Sequence, residues 1–264
     1  MDIFWNQWLV VAFLAPLLWA VMNVIDVYFV SSVYEDEWDG GVISSLFQIF
    51  PWVLLIFGLI DFRLPGLFPM LVAVLSGILL SLAFFYYFRT LFTSHDVVVI
   101  GAIWNLSVPL VPFLSWFLMR EKLSTMTYVG IAVSFIGAML FTVHKRIRVN
   151  HLKSIFKSMF LAVILLSLSM VLQNWTYEYA GVDFWSGYLL FSFGIVLSAG
   201  IMFEVDRRSF YSRTTHLWNL TKQYGYVFFL AEFLGLLAIM CSQRAIDLSP
   251  SVSYVALIES TVPV

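Results

Sequence analysis

The sequence predicts an all-α membrane protein, a ten-helix inverted-repeat (5+5) bundle of which about nine spans lie in this chain. Three observations predict it. Hydrophobic residues make up 61% of the 264 residues and charged residues 11%, where a soluble domain has roughly 45–50% and about 25%. The apolar residues fall in long unbroken runs, each near the ~20 residues a helix needs to cross about 30 Å of hydrocarbon. The two halves of the chain also repeat the same polar landmarks in the same order.

Composition removes several classes of function. A water-soluble globule of this size cannot hide so much apolar surface, which excludes soluble enzymes and disordered tails. Fourteen Lys+Arg against sixteen Asp+Glu leave no basic field for DNA or RNA. The single cysteine, Cys241, excludes a disulfide framework and a thiolate metal cluster. An outer-membrane barrel would show short alternating strands. Helices satisfy their own backbone groups in lipid, so long apolar runs read as helices.

Taken in order, the first span covers residues 8–30. The residues before it carry no Lys or Arg, and the run is too long for a cleavable apolar segment, so it reads as a retained span. It carries Asn23 and Asp26 one helical turn apart. The second, 41–60, carries Gln48 and Trp52, and the third, 67–88, ends beside Tyr87 and Arg89. The fourth, 97–119, carries Trp104, Asn105 and Pro109, and the fifth, 125–143, carries Gly130 and Gly137. A basic stretch follows at 144–153. The sixth span, 158–177, carries Gln173 and Asn174, with Glu178 at its end, and the seventh, 184–203, carries Trp185 and Gly194. The eighth, 224–243, carries Glu232 and Gly235 and ends at Arg244; the ninth begins near 251 and carries Glu259 and Pro263.

The repeat is read from constant offsets. Arg89 and Ser94 lie over Arg244 and Ser249 at an offset of 155. After one gap, Asn105 and Pro109 lie over Glu259 and Pro263, and upstream Asn23 and Tyr28 lie over Asn174 and Tyr179. Residues 1–144 read as a first five-helix repeat, 145–157 as a basic linker, and 158–264 as an incomplete second repeat. Five is odd, so the second copy is inverted in the membrane, the arrangement of many secondary transporters. The ninth span runs out after some fourteen residues, too few to cross a bilayer, so the chain reads as a fragment of a protein of about 300 residues with a tenth span.

The run NLSVPLVPFLSWFLMREKLSTMTYVGIAVSFIGAML, residues 105–140, resembles the EamA domain of the drug/metabolite transporter superfamily. Pro109, Glu121, Gly130 and Gly137 stand where that family has a helix-four Pro, a Gly-Glu and spaced glycines, while Arg120 stands where it usually has Gly. Residues 19–30 and 86–96 are also similar to it. The resemblance implies a ten-helix carrier that moves small metabolites by alternating access. It names no solute.

An ionisable group inside a membrane costs about 2.5–3.5 kcal/mol on insertion scales, so each one invites a functional reading. Desolvation favours the neutral form of a carboxylic acid, which suits proton exchange. Asp26 is such a candidate, against a plain role at a hydrated helix end. Asn105 and Glu259 occupy equivalent slots and would face one another across the repeat axis; Trp104 adjoins the first. Pro109 and Pro263 each remove a helix hydrogen bond and would free a carbonyl, or simply bend a helix. Glu232, among Phe228, Phe229 and Phe233, should point inward or pair with an Arg or Tyr. Arg89 and Arg244 could clamp an anion, against snorkelling to headgroups. Gln48, Trp52, Tyr87, Gln173, Asn174 and Trp185 could line a cavity, and Trp5, Trp8, Trp38 and Trp218 read as interface anchors. Glycines Gly77, Gly130, Gly137, Gly194 and Gly235 permit close helix approach. The histidines, His95, His144, His151 and His216, fall in predicted loops with no metal-ligand spacing.

These readings converge on an integral membrane secondary transporter, a permease or exporter of a small metabolite in the cell membrane (the inner membrane if bacterial). Protons are the candidate coupling ion, through Asp26 or Glu259. The expected partners are the lipid bilayer and a small-molecule solute, with no nucleic acid, metal or cofactor and no enzymatic activity. The rivals are a passive channel, a membrane-embedded lipid transferase and a non-transporting scaffold. Loop charges place the N-terminus outside and the central linker inside, 4 cations against 10, whereas the resemblance implies N-terminus in.

Overall fold

The structure is a computed structural model that describes residues 7–94, 97–144, 149–205 and 210–260. Among the described residues the regular elements are helical, with no strand. In chain order they are α1 (Gln7–Ser32), α2 (Glu37–Phe47), α3 (Phe50–Ile56), α4 (Leu67–Ser94), α5 (Val97–Trp104) and α6 (Ser107–Met119). There follow α7 (Thr125–His144), α8 (Val149–Asn174), α9 (Phe184–Val205), α10 (Phe210–Leu248) and α11 (Val252–Glu259). A π-helical turn, Trp175–Tyr179, extends α8.

Among the described residues six stretches are long and apolar enough to cross a bilayer: Gln7–Ser32, Glu37–Ile56, Leu67–Ser94, Ile155–Tyr179, Phe184–Phe203 and Thr214–Leu248. The helix Ser107–Met119 and the stretch Thr125–Gly137 of α7 are further apolar segments. That is the make-up of a multi-pass membrane protein. The faces of α1 show it locally. Leu17, Val21, Val24 and Tyr28 follow helical spacing and are exposed, as a lipid-facing stripe would be, while Ala12, Ala15, Met22, Asp26 and Phe29 are buried. The exposed stripe is apolar and the ionisable Asp26 is buried, the reverse of a soluble helix's outer face.

Two predicted spans are interrupted rather than continuous, and a proline explains each. Pro109 has no N–H and would crowd the carbonyl four residues back, so α5 ends at Trp104 and α6 begins at Ser107. The turn between them is closed by Leu106 N–H donating to Ile103 O at 3.0 Å and Val108 N–H to Asn105 O at 3.1 Å. Pro51 does the same near the start of α3, and α2 stops at Phe47, before a turn at Gln48 and Ile49.

Two helices reach further than a bilayer requires. α8 starts at Val149, inside the predicted linker, and α10 runs for 39 residues from Phe210. Consequently His144, His151 and His216 lie on helices rather than in loops. Polar stretches such as 211–223 keep helical backbone because nothing in them, neither Pro nor Gly, breaks it.

The ends are capped locally. Asp36 accepts from Trp38 and Asp39 N–H at the start of α2, and Ser251 accepts from Ser253 N–H at the start of α11. Arg120 closes α6 in the left-handed region, at φ 61, with its N–H on Trp116 O.

Packing brings distant segments together. α4 lies between α8 and α9. A Cβ on Gly77 would sit 2.0 Å from Phe191 O, and one on Gly194 would sit 2.1 Å from Val74 O, so α4 and α9 cross backbone to backbone. Ser169 Oγ donates to Ser76 O at 2.7 Å, tying α8 to α4. α1 packs along α10, with Phe29 edge-on to Phe228 at 5.1 Å. α6 meets α8, α11 meets α1, α2 meets α9, and α6 meets α11.

Candidate functional site

Between these helices lies a cavity of about 90 Å³. α1 contributes Trp19, Asn23 and Asp26; the turn after α5 contributes Asn105, next to Trp104; α11 contributes Glu259. Tyr87 and Phe84 from α4, Ser169 from α8, and Ser242 and Gln243 from α10 complete its polar and aromatic wall. Trp19, Asn23 and Asp26 are spaced by four and then three residues, which puts all three on one face of α1.

The side chains hold one another in place. Tyr87 Oη donates to Asn23 Oδ1 at 3.2 Å and stands beside the Asp26 carboxyl. Ser242 Oγ donates to the Glu259 carboxylate. Aromatic faces flank the opening, Trp19 against Phe84 at 5.5 Å and Tyr87 against Trp104 at 5.7 Å between ring centres. Two carboxylates therefore meet aromatic surface, and no Lys, Arg or His is among the described residues lining the cavity. Such a wall attracts hydrogen-bond donors and cations.

A smaller cavity of about 30 Å³ adjoins it. Asp26, Trp19, Phe84 and Tyr87 line both. Glu232 lines the smaller one and accepts from Ser44 Oγ at 2.8 Å. The inward orientation expected of Glu232 holds: it is 4% exposed, with a serine rather than an Arg or Tyr as its hydrogen-bond partner.

Of the predicted pathway residues, Asn23, Asp26, Trp104, Asn105 and Glu259 converge on the larger cavity and Glu232 on the smaller. Gln173 and Asn174 line neither. Gln173 is buried in the packing of α8 against α4, its Oε1 accepting from Ser76 Oγ at 2.7 Å. Asn174 Nδ2 donates to Glu178 Oε2 at 3.2 Å within its own helix end. Both are interior polar links rather than lining.

The two arginines are also elsewhere. Arg89 is largely exposed and stands 4.0 Å from Glu37. Arg244 pairs with Asp247, one turn along α10, and lies over the Phe184 ring at 4.9 Å. Neither lines either of these two cavities. Pro109 acts differently from expectation too: Asn105 O is taken by Val108 N–H, so the proline breaks the helix without leaving that carbonyl free. Trp52 packs on Phe62 and Phe193, and Trp185 on Phe184 and Tyr188. Pro263, Trp5 and His95 lie outside the described residues.

Sequence reasoning missed Trp19, Phe84, Ser44 and Ser242. Trp19 was legible, because it shares the helical face of Asn23 and Asp26. Ser44 and Ser242 carried no local signal, since a serine in an apolar helix is ordinary until its partner across the bundle is known. Among the described residues no group of three or more His, Cys, Asp or Glu is gathered to hold a metal ion.

No known protein family matches this chain, and no curated protein matches it.

Proposed function

We propose that this chain is a secondary transporter of the EamA type, which carries a small metabolite bearing an amine or another cationic group. The carrying observation is the larger cavity. Its lining comes from both halves of the chain, and it places Asp26 and Glu259 in one apolar, aromatic space without a basic residue.

The packing supports two related halves. Exchanging α1 with α8, α2 with α9, α4 with α10 and the α5–α6 pair with α11 turns the main helix contacts into one another. The α4–α8 contact becomes α10–α1, α6–α8 becomes α11–α1, and α2–α9 and α6–α11 map onto themselves. α5 begins at Val97 and α11 at Val252, and 252 − 97 = 155, the offset that relates Arg89 to Arg244. Such halves, inverted and rocking about a shared site, are the basis of alternating access. The interruption at Asn105 supports the same reading, because helix breaks in transporters lie where backbone lines a cavity.

Charge selects the solute class. A solute ammonium replaces the missing countercharge of the two carboxylates, and the tryptophan and tyrosine faces add cation–π attraction. An anionic solute meets the same field with the opposite sign. Protonation of Glu259 would weaken the hold on a cationic solute, which makes the proton the candidate coupling ion.

A thermal-unfolding screen of the detergent-purified protein tests this, with amines, amino acids, nucleosides and sugar phosphates at two pH values. A ligand at 100-fold its Kd adds about 2.7 kcal/mol of apparent stability. Amines should stabilise saturably, and Asp26→Asn and Glu259→Gln should each remove the effect. Stabilisation by sugar phosphates instead, or an amine effect that survives both substitutions, would sink the assignment.

A further inference from the structure

We infer that the smaller cavity is a binding site for one small monovalent cation, with sodium the species it fits. Six oxygen-bearing side chains surround it: Asp26 on α1, Ser44 and Ser45 on α2, Gln48 in the turn after α2, Tyr87 on α4, and Glu232 on α10. Hard cations are held by carboxylate, amide and hydroxyl oxygens of this kind.

The hydrogen bonds show that acceptors are in excess. Ser44 Oγ is committed to Glu232 at 2.8 Å, and Ser45 Oγ to Ser81 Oγ at 2.7 Å. Tyr87 Oη donates to Asn23. Gln48 is 3% exposed, lines the cavity, and its Oε1 has no hydrogen-bond partner. A buried amide oxygen without a donor is costly, and beside two carboxylates it calls for positive charge. No Lys, Arg or His is among the described residues of the lining. Asp26 and Glu232 line this one small cavity, where two ionised carboxylates without a cation would be costly in an apolar interior.

Size and backbone narrow the occupant. The cavity, about 30 Å³, has room for an ion with only a few of its waters. Magnesium gives up its waters reluctantly and is disfavoured on that ground. The site lies where α2 is interrupted at Gln48 and Ile49, and coupling-ion sites in carriers are built at such interruptions. At the 155 offset, Gly77 falls on Glu232. The crossing that glycines close in one half is thus held open by a carboxylate and a serine in the other. Asp26 belongs to both cavities, so the ion would act on the solute through it.

This deepens the carrier reading, since the ion would be a coupled one, yet its test needs no transport. The detergent-purified full chain is unfolded thermally in increasing NaCl, with ionic strength held constant by N-methyl-D-glucamine chloride, whose cation is too large for the cavity. Sodium should raise Tm saturably, by roughly 5–10 °C at 100-fold its Kd. Glu232→Gln and the apolar, similarly sized Gln48→Leu should abolish that rise, while Arg120→Gly, remote from the cavity, should keep it. Each variant's cooperative unfolding without sodium reports that it is folded. A wild-type response equal in both salts, a rise that survives both cavity substitutions, or stabilisation by CaCl2 at lower concentration than NaCl would overturn the assignment. Those outcomes leave the amine screen, and with it the carrier reading, standing on its own result.

Discussion

Arg120 shows how one residue reports on a turn. It is exposed, and its φ of 61 lies in the left-handed region that glycine adopts freely and arginine does not. The resemblance places glycine here, and the turn forms with arginine in its stead, its N–H still bonded to Trp116 O. Releasing the strain is worth about 1 kcal/mol. Arg120→Gly should therefore raise Tm by about 2–4 °C; an unchanged or lower Tm in a differential scan would show that the arginine side chain contributes more than its backbone loses. Glu259 reports on chemistry. A carboxylate that loses its proton gains a charge, so a cationic ligand binds more tightly as pH rises through its titration. An amide does not titrate. In Glu259→Gln the pH dependence of ligand affinity should vanish and the high-pH affinity fall by about a hundredfold. A pH profile that keeps its slope would remove Glu259 from the site. At this scale the sequence was informative wherever charge in an apolar run had to be explained: Asp26, Glu232 and Glu259 all line cavities. It failed at Gln173 and Asn174, because a polar side chain in a helix reads alike whether it meets a cavity or, as Gln173 does, the Ser76 hydroxyl.

Helices were legible from apolar run length, and their breaks were not. The prolines at 51 and 109 were visible in the sequence, yet whether a proline bends a helix or ends it depends on what can bond the carbonyls behind it. Here tight turns close at Gln48 and Ile49 and at Asn105 and Leu106, and both turns deliver an amide side chain to a cavity. Helix ends beyond the hydrocarbon were also hidden, since hydropathy marks where lipid ends rather than where helix ends; α10 runs on through His216, whose Nε2 lies 3.0 Å from Asp39 Oδ2. The α4–α9 crossing yields a sharp contrast between glycines. A methyl on Gly77 collides with the Phe191 carbonyl, which is backbone and cannot swing aside, whereas one on Gly130 meets nothing within 4 Å. Gly77→Ala should lose about 1–3 kcal/mol of stability, and Gly130→Ala should not, as judged by their unfolding midpoints. Equal midpoints would mean that the crossing is looser than its geometry.

At the scale of the whole molecule, the proposed repeat rests on two separate kinds of observation, matched residues in the sequence and paired helix contacts in the fold. The sequence offered a few matched residues; the fold adds paired contacts, α4 on α8 with α1 on α10 and α6 on α8 with α11 on α1. What the sequence could not reveal is which polar residues the two halves turn towards each other, because that depends on helix rotation, and rotation is set by partners far away in the chain. The fold resolves it by drawing Asp26 from α1 and Glu259 from α11 into one cavity with Tyr87 between helices of both halves. In the proposed carrier, this cavity holds a solute and exposes it to one side at a time. Counterflow in proteoliposomes tests it most directly: vesicles loaded with the amine that stabilises the protein are diluted into trace labelled amine. A carrier accumulates the label transiently above equilibrium, with saturable initial rates, and Asp26→Asn abolishes it. Label that only equilibrates, at rates linear in concentration, would contradict a carrier and make the cavity part of a passive channel.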